Sequence, residues 1–114
     1  MKSPASLPKG AAFDTAYAKG SAVAGPFFIV RCVPNSSGVT RWGFAVGKKQ
    51  WKRATDRNRI RRRLRAIAQL TNTATPLDII VTARARSERA EFAQLVVALR
   101  RQLLSAQKSV SSRE

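Results

Sequence analysis

The sequence predicts an α+β domain, an α/β two-layer arrangement in which helices lie on a small, mostly antiparallel sheet. Three observations predict it. Two amphipathic helical stripes are present, one over Ile60, Leu64 and Ile67 and another over Phe92, Leu95, Val96, Leu99 and Leu103. Two apolar, β-branched or aromatic runs, Pro26–Val33 and Leu77–Ala83, lie outside those stripes. The chain has 114 residues, enough for a single domain of one modest core, residues 1–114.

Taken in order, residues 1–8 are rich in Ser and Pro and are expected to be loose, as are residues 106–114. Phe13, Ala16 and Tyr17 then fall at i, i+3 and i+4, with Gly20 in the place of a C-cap glycine, so a short helix is expected over Gly10–Lys19. Pro26–Val33 reads as a strand, and Pro34-Asn35-Ser36-Ser37-Gly38 supplies turn chemistry. Val39–Gly47 reads as the returning strand of an antiparallel pair. A second helix follows over Asp56–Leu70, with Thr55 or Asp56 able to cap it. Leu77–Ala83 is apolar almost throughout, as a strand buried on both faces should be. Ser87 is placed to cap the third helix, with Glu88 and Glu91 in its first turn.

Charge narrows the function. The formal net charge is +16, while 44% of residues are hydrophobic, so the chain should fold and its surface should meet a polyanion. Most of that charge is concentrated. From Lys48 to Arg65, ten of eighteen positions are Lys or Arg and Asp56 is the only acid. With Ile60 at 0°, Leu64 falls at about 40° and Ile67 at about −20°, which defines a buried stripe. Asn58, Arg62 and Arg65 then point the other way, Arg59 and Arg61 are lateral, and Arg57 and Arg63 flank the stripe. A solvated charge run would mix acids with the bases, and Arg61-Arg62-Arg63 has no acid to pair with. Arginine predominates here, and its planar fork suits bidentate contacts to phosphate. DNA readout is the weaker reading, because Asn58 is the only obvious base reader; shape and phosphate recognition of a folded RNA fits better.

Other chemistries find little support. The chain contains no His, so no imidazole base is available, and its six acids fall mostly at caps and helix starts. Cys32 is the only cysteine, which closes no internal disulfide and completes no zinc pattern. It is expected to be a packed thiol in a reducing, cytoplasmic compartment. No apolar run approaches the roughly 20 residues of a spanning helix, and no apolar region precedes the small-residue Ala16-Tyr17-Ala18. No membrane is expected. A membrane-active basic helix would also not be set inside a sheet domain.

The run Gly43-Phe44-Ala45-Val46-Gly47-Lys48-Lys49, then Arg53-Ala54, then Asp56-Arg57-Asn58-Arg59-Ile60-Arg61-Arg62, resembles the signature region of the bacterial ribonuclease P protein subunits. The resemblance extends over most of the chain, through Leu7, Phe13 and Tyr17, Asp78-Ile79-Ile80-Val81 and the last helix. It implies the ribonuclease P protein fold, also described as ribosomal protein S5 domain 2-like, with a left-handed β-α-β crossover against the usual hand. It further implies a protein that is the non-catalytic partner of a catalytic RNA. That RNA hydrolyses the 5′ leader from precursor tRNA and itself holds the required magnesium ions. The chain would bind no cofactor and need no protein partner. By the resemblance Lys48, Lys49, Arg53, Arg57, Asn58, Arg59, Arg61, Arg62 and Arg65 contact the catalytic RNA. A cleft of Phe13 and Tyr17 against Phe28 and Val30 takes the leader, although ordinary helix-to-sheet packing explains the two aromatics equally well. An aromatic found in some members near Val30 is missing here, and Trp51 lies in a variable stretch with no assigned role. A ribosomal or general structured-RNA-binding protein is the alternative that composition alone would allow.

Overall fold

The computed structural model describes residues 5–8, 10–71, 73 and 75–112. The elements run β1 Ala5–Ser6, α1 Ala11–Lys19, β2 Ser21–Ala24, β3 Phe28–Pro34, β4 Arg41–Ala45, α2 Ala54–Gln69, β5 Leu77–Ala83, a single 3₁₀ turn Ala85–Glu88, and α3 Phe92–Ser112. The strands form one five-stranded sheet in the order β1-β4-β5-β3-β2. Pairing is antiparallel between β2 and β3 and between β3 and β5, and parallel between β5 and β4 and between β4 and β1. The sheet is therefore mixed, and α2 is the crossover connecting the parallel neighbours β4 and β5.

The expected antiparallel pair of β3 and β4 does not form, because β5 lies between them. The reason is burial. Leu77, Ile79 and Val81 point to one face and Ile80 to the other, and all four are buried, which only a central strand can achieve. Helices accordingly cover both faces. The larger core joins Ile60, Leu64 and Ile67 of α2 and Leu95, Leu99 and Leu103 of α3 to Phe28, Val30, Cys32, Ile79 and Val81. On the other face α1 packs through Ala16, with Phe13 and Leu7, against Ile80.

Four terminal and capping expectations are corrected. Ala5–Ser6 pairs with Arg41–Trp42, and the N–H of buried Leu7 donates to the Trp42 carbonyl at 2.9 Å, so this part of residues 1–8 is held by the sheet edge. Met1–Pro4 lie outside the described residues. At the other end α3 runs on to Ser112 because Ala106 is fully buried in the core; residues 113–114 lie outside the described residues. Neither Thr55 nor Asp56 caps α2. Its N-cap is Arg53, which makes no side-chain cap bond, and Thr55 and Asp56 fall within the helix. Ser87 likewise does not start α3. It is buried in the 3₁₀ turn, donating to the Arg84 carbonyl at 2.7 Å, and the Gln94 side chain accepts from the Glu91 N–H at the true start of the helix.

Glycine is required at two close approaches. A Cβ on Gly20 would lie 2.4 Å from the Ala16 carbonyl oxygen, so only glycine allows α1 to turn directly into β2. A Cβ on Gly43 would stand 3.1 Å from the Phe13 ring, so its absence lets α1 settle on the sheet.

Candidate RNA interface

Helix α2 sorts its arginines by angle. Ile60, Leu64, Ile67 and Ala68 are buried, as the stripe requires. The flanking arginines reach sideways along the protein. Arg57 donates from Nη1 to the carbonyls of Trp51 and Lys52, at 2.8 and 3.0 Å. Arg63 donates from Nη1 to the carbonyls of Ser87 and Glu88, each at 3.1 Å, and from Nη2 to that of Ala90. Arg59 meets Glu88 at 2.9 Å. The other Glu88 oxygen accepts from Trp51 Nε1 at 2.7 Å, so buried Trp51 is a core residue that ties the basic loop to the 3₁₀ turn.

What remains outward is a basic face. Thr55, Asn58, Arg61, Arg62 and Arg65 line one shallow groove along the outside of α2. Asn58, Arg62 and Arg65 are exposed and Arg61 is half-buried. Lys48, Lys49 and Arg53 are exposed on the approach to the helix. The structure thus brings Asn58, Arg61, Arg62 and Arg65 of the sequence-predicted set into one groove, with Lys48, Lys49 and Arg53 exposed on the segment before it. Arg57 and Arg59 differ, since their guanidinium groups are engaged within the protein.

The second surface lies over α1. Phe13 and Tyr17, one helical turn apart, hold their rings nearly parallel, 15° between planes and 6.5 Å between centroids. Phe13 is half-buried and Tyr17 is 52% exposed. Phe28 and Val30 do not belong to this surface. Both are fully buried on the opposite face, under α3, because alternate residues of a strand point to opposite sides and β3 turns 28, 30 and 32 toward the larger core. The residues of β3 on the α1 side are Ile29, Arg31 and Val33. Arg31 places its guanidinium carbon 4.2 Å from the centre of the Tyr17 ring, a cation–π contact. Sequence reasoning missed Arg31 as a site residue. The available signal was its position as the one charge inside an apolar strand whose alternate residues are core.

Elsewhere the titratable groups are structural. Arg41 pairs with Asp78 at 2.8 Å, and Asn35 donates to the same carboxylate at 2.7 Å, fixing the β3–β4 connection. The Asp78 hydrogen bond raises the Arg41 pKa further above its usual range. Burial pushes the Cys32 thiol up to about 11. Among the described residues no group of three or more His, Cys, Asp or Glu could hold a metal ion, and no helix is long and apolar enough to cross a membrane.

An α+β sheet domain with an arginine-studded crossover helix on one face, and the stacked pair Phe13 and Tyr17 over the other, belongs to the class of structured-RNA-binding proteins. Residues 1–107 match the family model for ribonuclease P. The ribonuclease P protein component of Dehalococcoides mccartyi is 33% identical over 95 residues, covering 83% of this chain and 78% of that protein. Among solved structures, a Staphylococcus aureus RNase P protein mutant with defective mRNA degradation activity superposes with a TM-score of 0.76 at 31% identity, covering 89% of this chain and 86% of that one. The RNase P protein from Thermotoga maritima gives 0.69 at 25% identity, covering 88% and 92%. The chain belongs to the ribonuclease P protein family, the protein subunits of that tRNA-processing ribonuclease.

Proposed function

We propose that the outer face of α2 docks on the catalytic RNA of ribonuclease P, and that the α1 surface takes the unpaired 5′ leader of precursor tRNA. The observation that carries the first half is the division of labour on α2. Arg57, Arg59 and Arg63 brace the helix internally, which leaves Asn58, Arg61, Arg62 and Arg65 as a fixed outward row with only Asp56 to offset it. Such a row matches a phosphate backbone and has no use within the folded chain.

The chain's own part in the reaction is binding and orientation. It contains no His to move a proton, and its only thiol is buried and held neutral. Hydrolysis of the leader phosphodiester is therefore assigned to the RNA. Magnesium required by the assembled enzyme is assigned to the RNA as well. The working compartment on this reading is the cytoplasm, where the two RNAs are the partners.

Reconstitution tests the proposal. The chain alone should leave precursor tRNA intact, and adding the catalytic RNA should give cleavage at the leader junction at low magnesium. Binding to transfer or ribosomal RNA as tight as to the catalytic RNA, without cleavage on mixing, would instead mark a general structured-RNA binder.

A further inference from the structure

Two buried polar atoms on the α1 side of the sheet have no hydrogen-bond partner: Arg31 Nη1 and Thr82 Oγ1. Register places them together. Arg31 pairs with Ile80 and Ile29 with Thr82, so Arg31 and Thr82 are diagonal neighbours on one face across β3 and β5. Leaving a buried donor unmet costs about 1–3 kcal/mol, and a native structure that tolerates two such atoms on one face of the sheet calls for an explanation. The two other unpartnered side-chain atoms among the described residues, Ser21 Oγ and Gln102 Oε1, do not belong to this surface. Ser21 pairs with Cys32 on the opposite face, and Gln102 is on α3.

The surroundings indicate what would complete them. Ala24, Ile29, Thr82 and Ala45 form one row across four strands by their pairings. In contrast to Ile80 in the next row, which α1 seals completely, every member of that row is exposed or half-buried. The result is a shallow floor of small and apolar side chains that includes Thr82 and borders Arg31 in the next row, each with one unsatisfied polar atom. One wall is the Tyr17 ring, whose inner side is taken by Arg31. A nucleotide strand crossing such a floor keeps its phosphates in water and turns a base inward.

We propose that Arg31, assisted by Thr82, reads the edge of one base of the leader and selects guanine. This rests on the assignment of the α1 surface to the leader. Guanine presents O6 and N7 side by side as acceptors for a guanidinium fork, whereas adenine sets an amino donor against it and a pyrimidine offers no such adjacent pair. The Thr82 hydroxyl can donate or accept, so it can satisfy a further atom of the same edge. The base, or its neighbour, can stack on the open side of Tyr17.

The test uses the assembled enzyme and precursor tRNAs whose leaders are all uridine except for one guanine moved through successive positions. At one position guanine should tighten binding about tenfold over adenine, and 7-deazaguanine, which lacks N7, should lose much of that gain. Arg31→Lys keeps the charge and the contact to Tyr17 but not the fork, and should abolish the preference; Thr82→Val should reduce it. Two results overturn the proposal. In one, wild-type enzyme gains affinity as an all-uridine leader is lengthened but shows no guanine position. In the other, Arg31→Lys keeps the full guanine preference while Arg31→Gln weakens all leaders alike with a shallower salt dependence, which marks a phosphate contact. Absence of any gain on lengthening the leader in wild-type enzyme would sink the leader assignment itself.

Discussion

The two surfaces assigned to RNA are built on opposite plans. Along α2, Arg62 and Arg65 stand exposed in a row with Arg61, which also donates to Asn58 at 3.5 Å, supported from behind by arginines that bond to the protein's own carbonyls. On the α1 side the guanidinium of Arg31 is tucked beneath an aromatic ring, and the other guanidinium there, that of Arg41, is neutralised by Asp78. A phosphate-facing row acts at long range and is screened by salt. A half-buried aromatic surface acts only on contact and responds to the face and edge of a base. The difference shows that position relative to the buried stripe, more than residue type, decides what an arginine does in this protein.

Four experiments would break or sharpen that contrast. The largest effect is expected from Arg63→Ala, which strips three carbonyls of their donor; unfolding in urea should show a loss of about 3 kcal/mol, and a loss below about 0.5 would mean the brace is unimportant. Next comes the double change of Phe13 and Tyr17 to Leu. It should leave assembly with the catalytic RNA intact and reduce the preference for precursor over mature tRNA by about 1–3 kcal/mol per stacked base, with little change in salt dependence. Replacing Arg62 or Arg65 singly with Ala should weaken binding to the catalytic RNA and lower the log–log salt slope by up to about one unit each, with unfolding unchanged within about 0.5 kcal/mol. Arg57→Ala makes the control, since it should cost stability by about 1 kcal/mol and leave the slope nearly alone; equal slope losses at 57 and 62 would erase the distinction. Smallest is the response of Cys32. With its pKa near 11 and no exposure, it should resist alkylation at pH 8 until the protein is unfolded, and immediate labelling of the native chain would contradict its burial.

What the sequence disclosed follows from the range of each signal. The stripe of α2 and the span of β5 were legible because both depend on local periodicity and composition, and Leu77–Ala83 is the strand observed. The signature helix was legible as a surface, and helical angle already set Arg57 beside the stripe and Arg59 lateral to it, apart from Arg62; their partners were not legible, because the carbonyls of Trp51 and Lys52 and the carboxylate of Glu88 reach them only in the folded chain. Strand order was hidden for the same reason: Val39–Gly47 carries no mark of whether β3 or β5 will be its neighbour. β1 and β2 have two and four residues and almost no bulky side chains, so they leave no pattern to detect. The parity of β3 was readable in principle. Arg31 excludes one face from the core, and applying that constraint would have moved Phe28 and Val30 out of the cleft.

Glu88 has a consequence for how the molecule meets its partner. One carboxylate receives Trp51 from the loop before α2 and Arg59 from the helix itself, while Arg63 grips the backbone on either side of it. The loop, the start of the helix that follows it and the 3₁₀ turn, 29 to 37 residues further on, are thereby tied to one another once the chain has folded. Ordering a side chain on association costs about 0.5–1.5 kcal/mol, and here that loss of freedom has already been taken for the framework carrying the basic row. An RNA arriving at α2 meets a rigid template, so the speed of docking should be limited by encounter and orientation rather than by rearrangement of the protein.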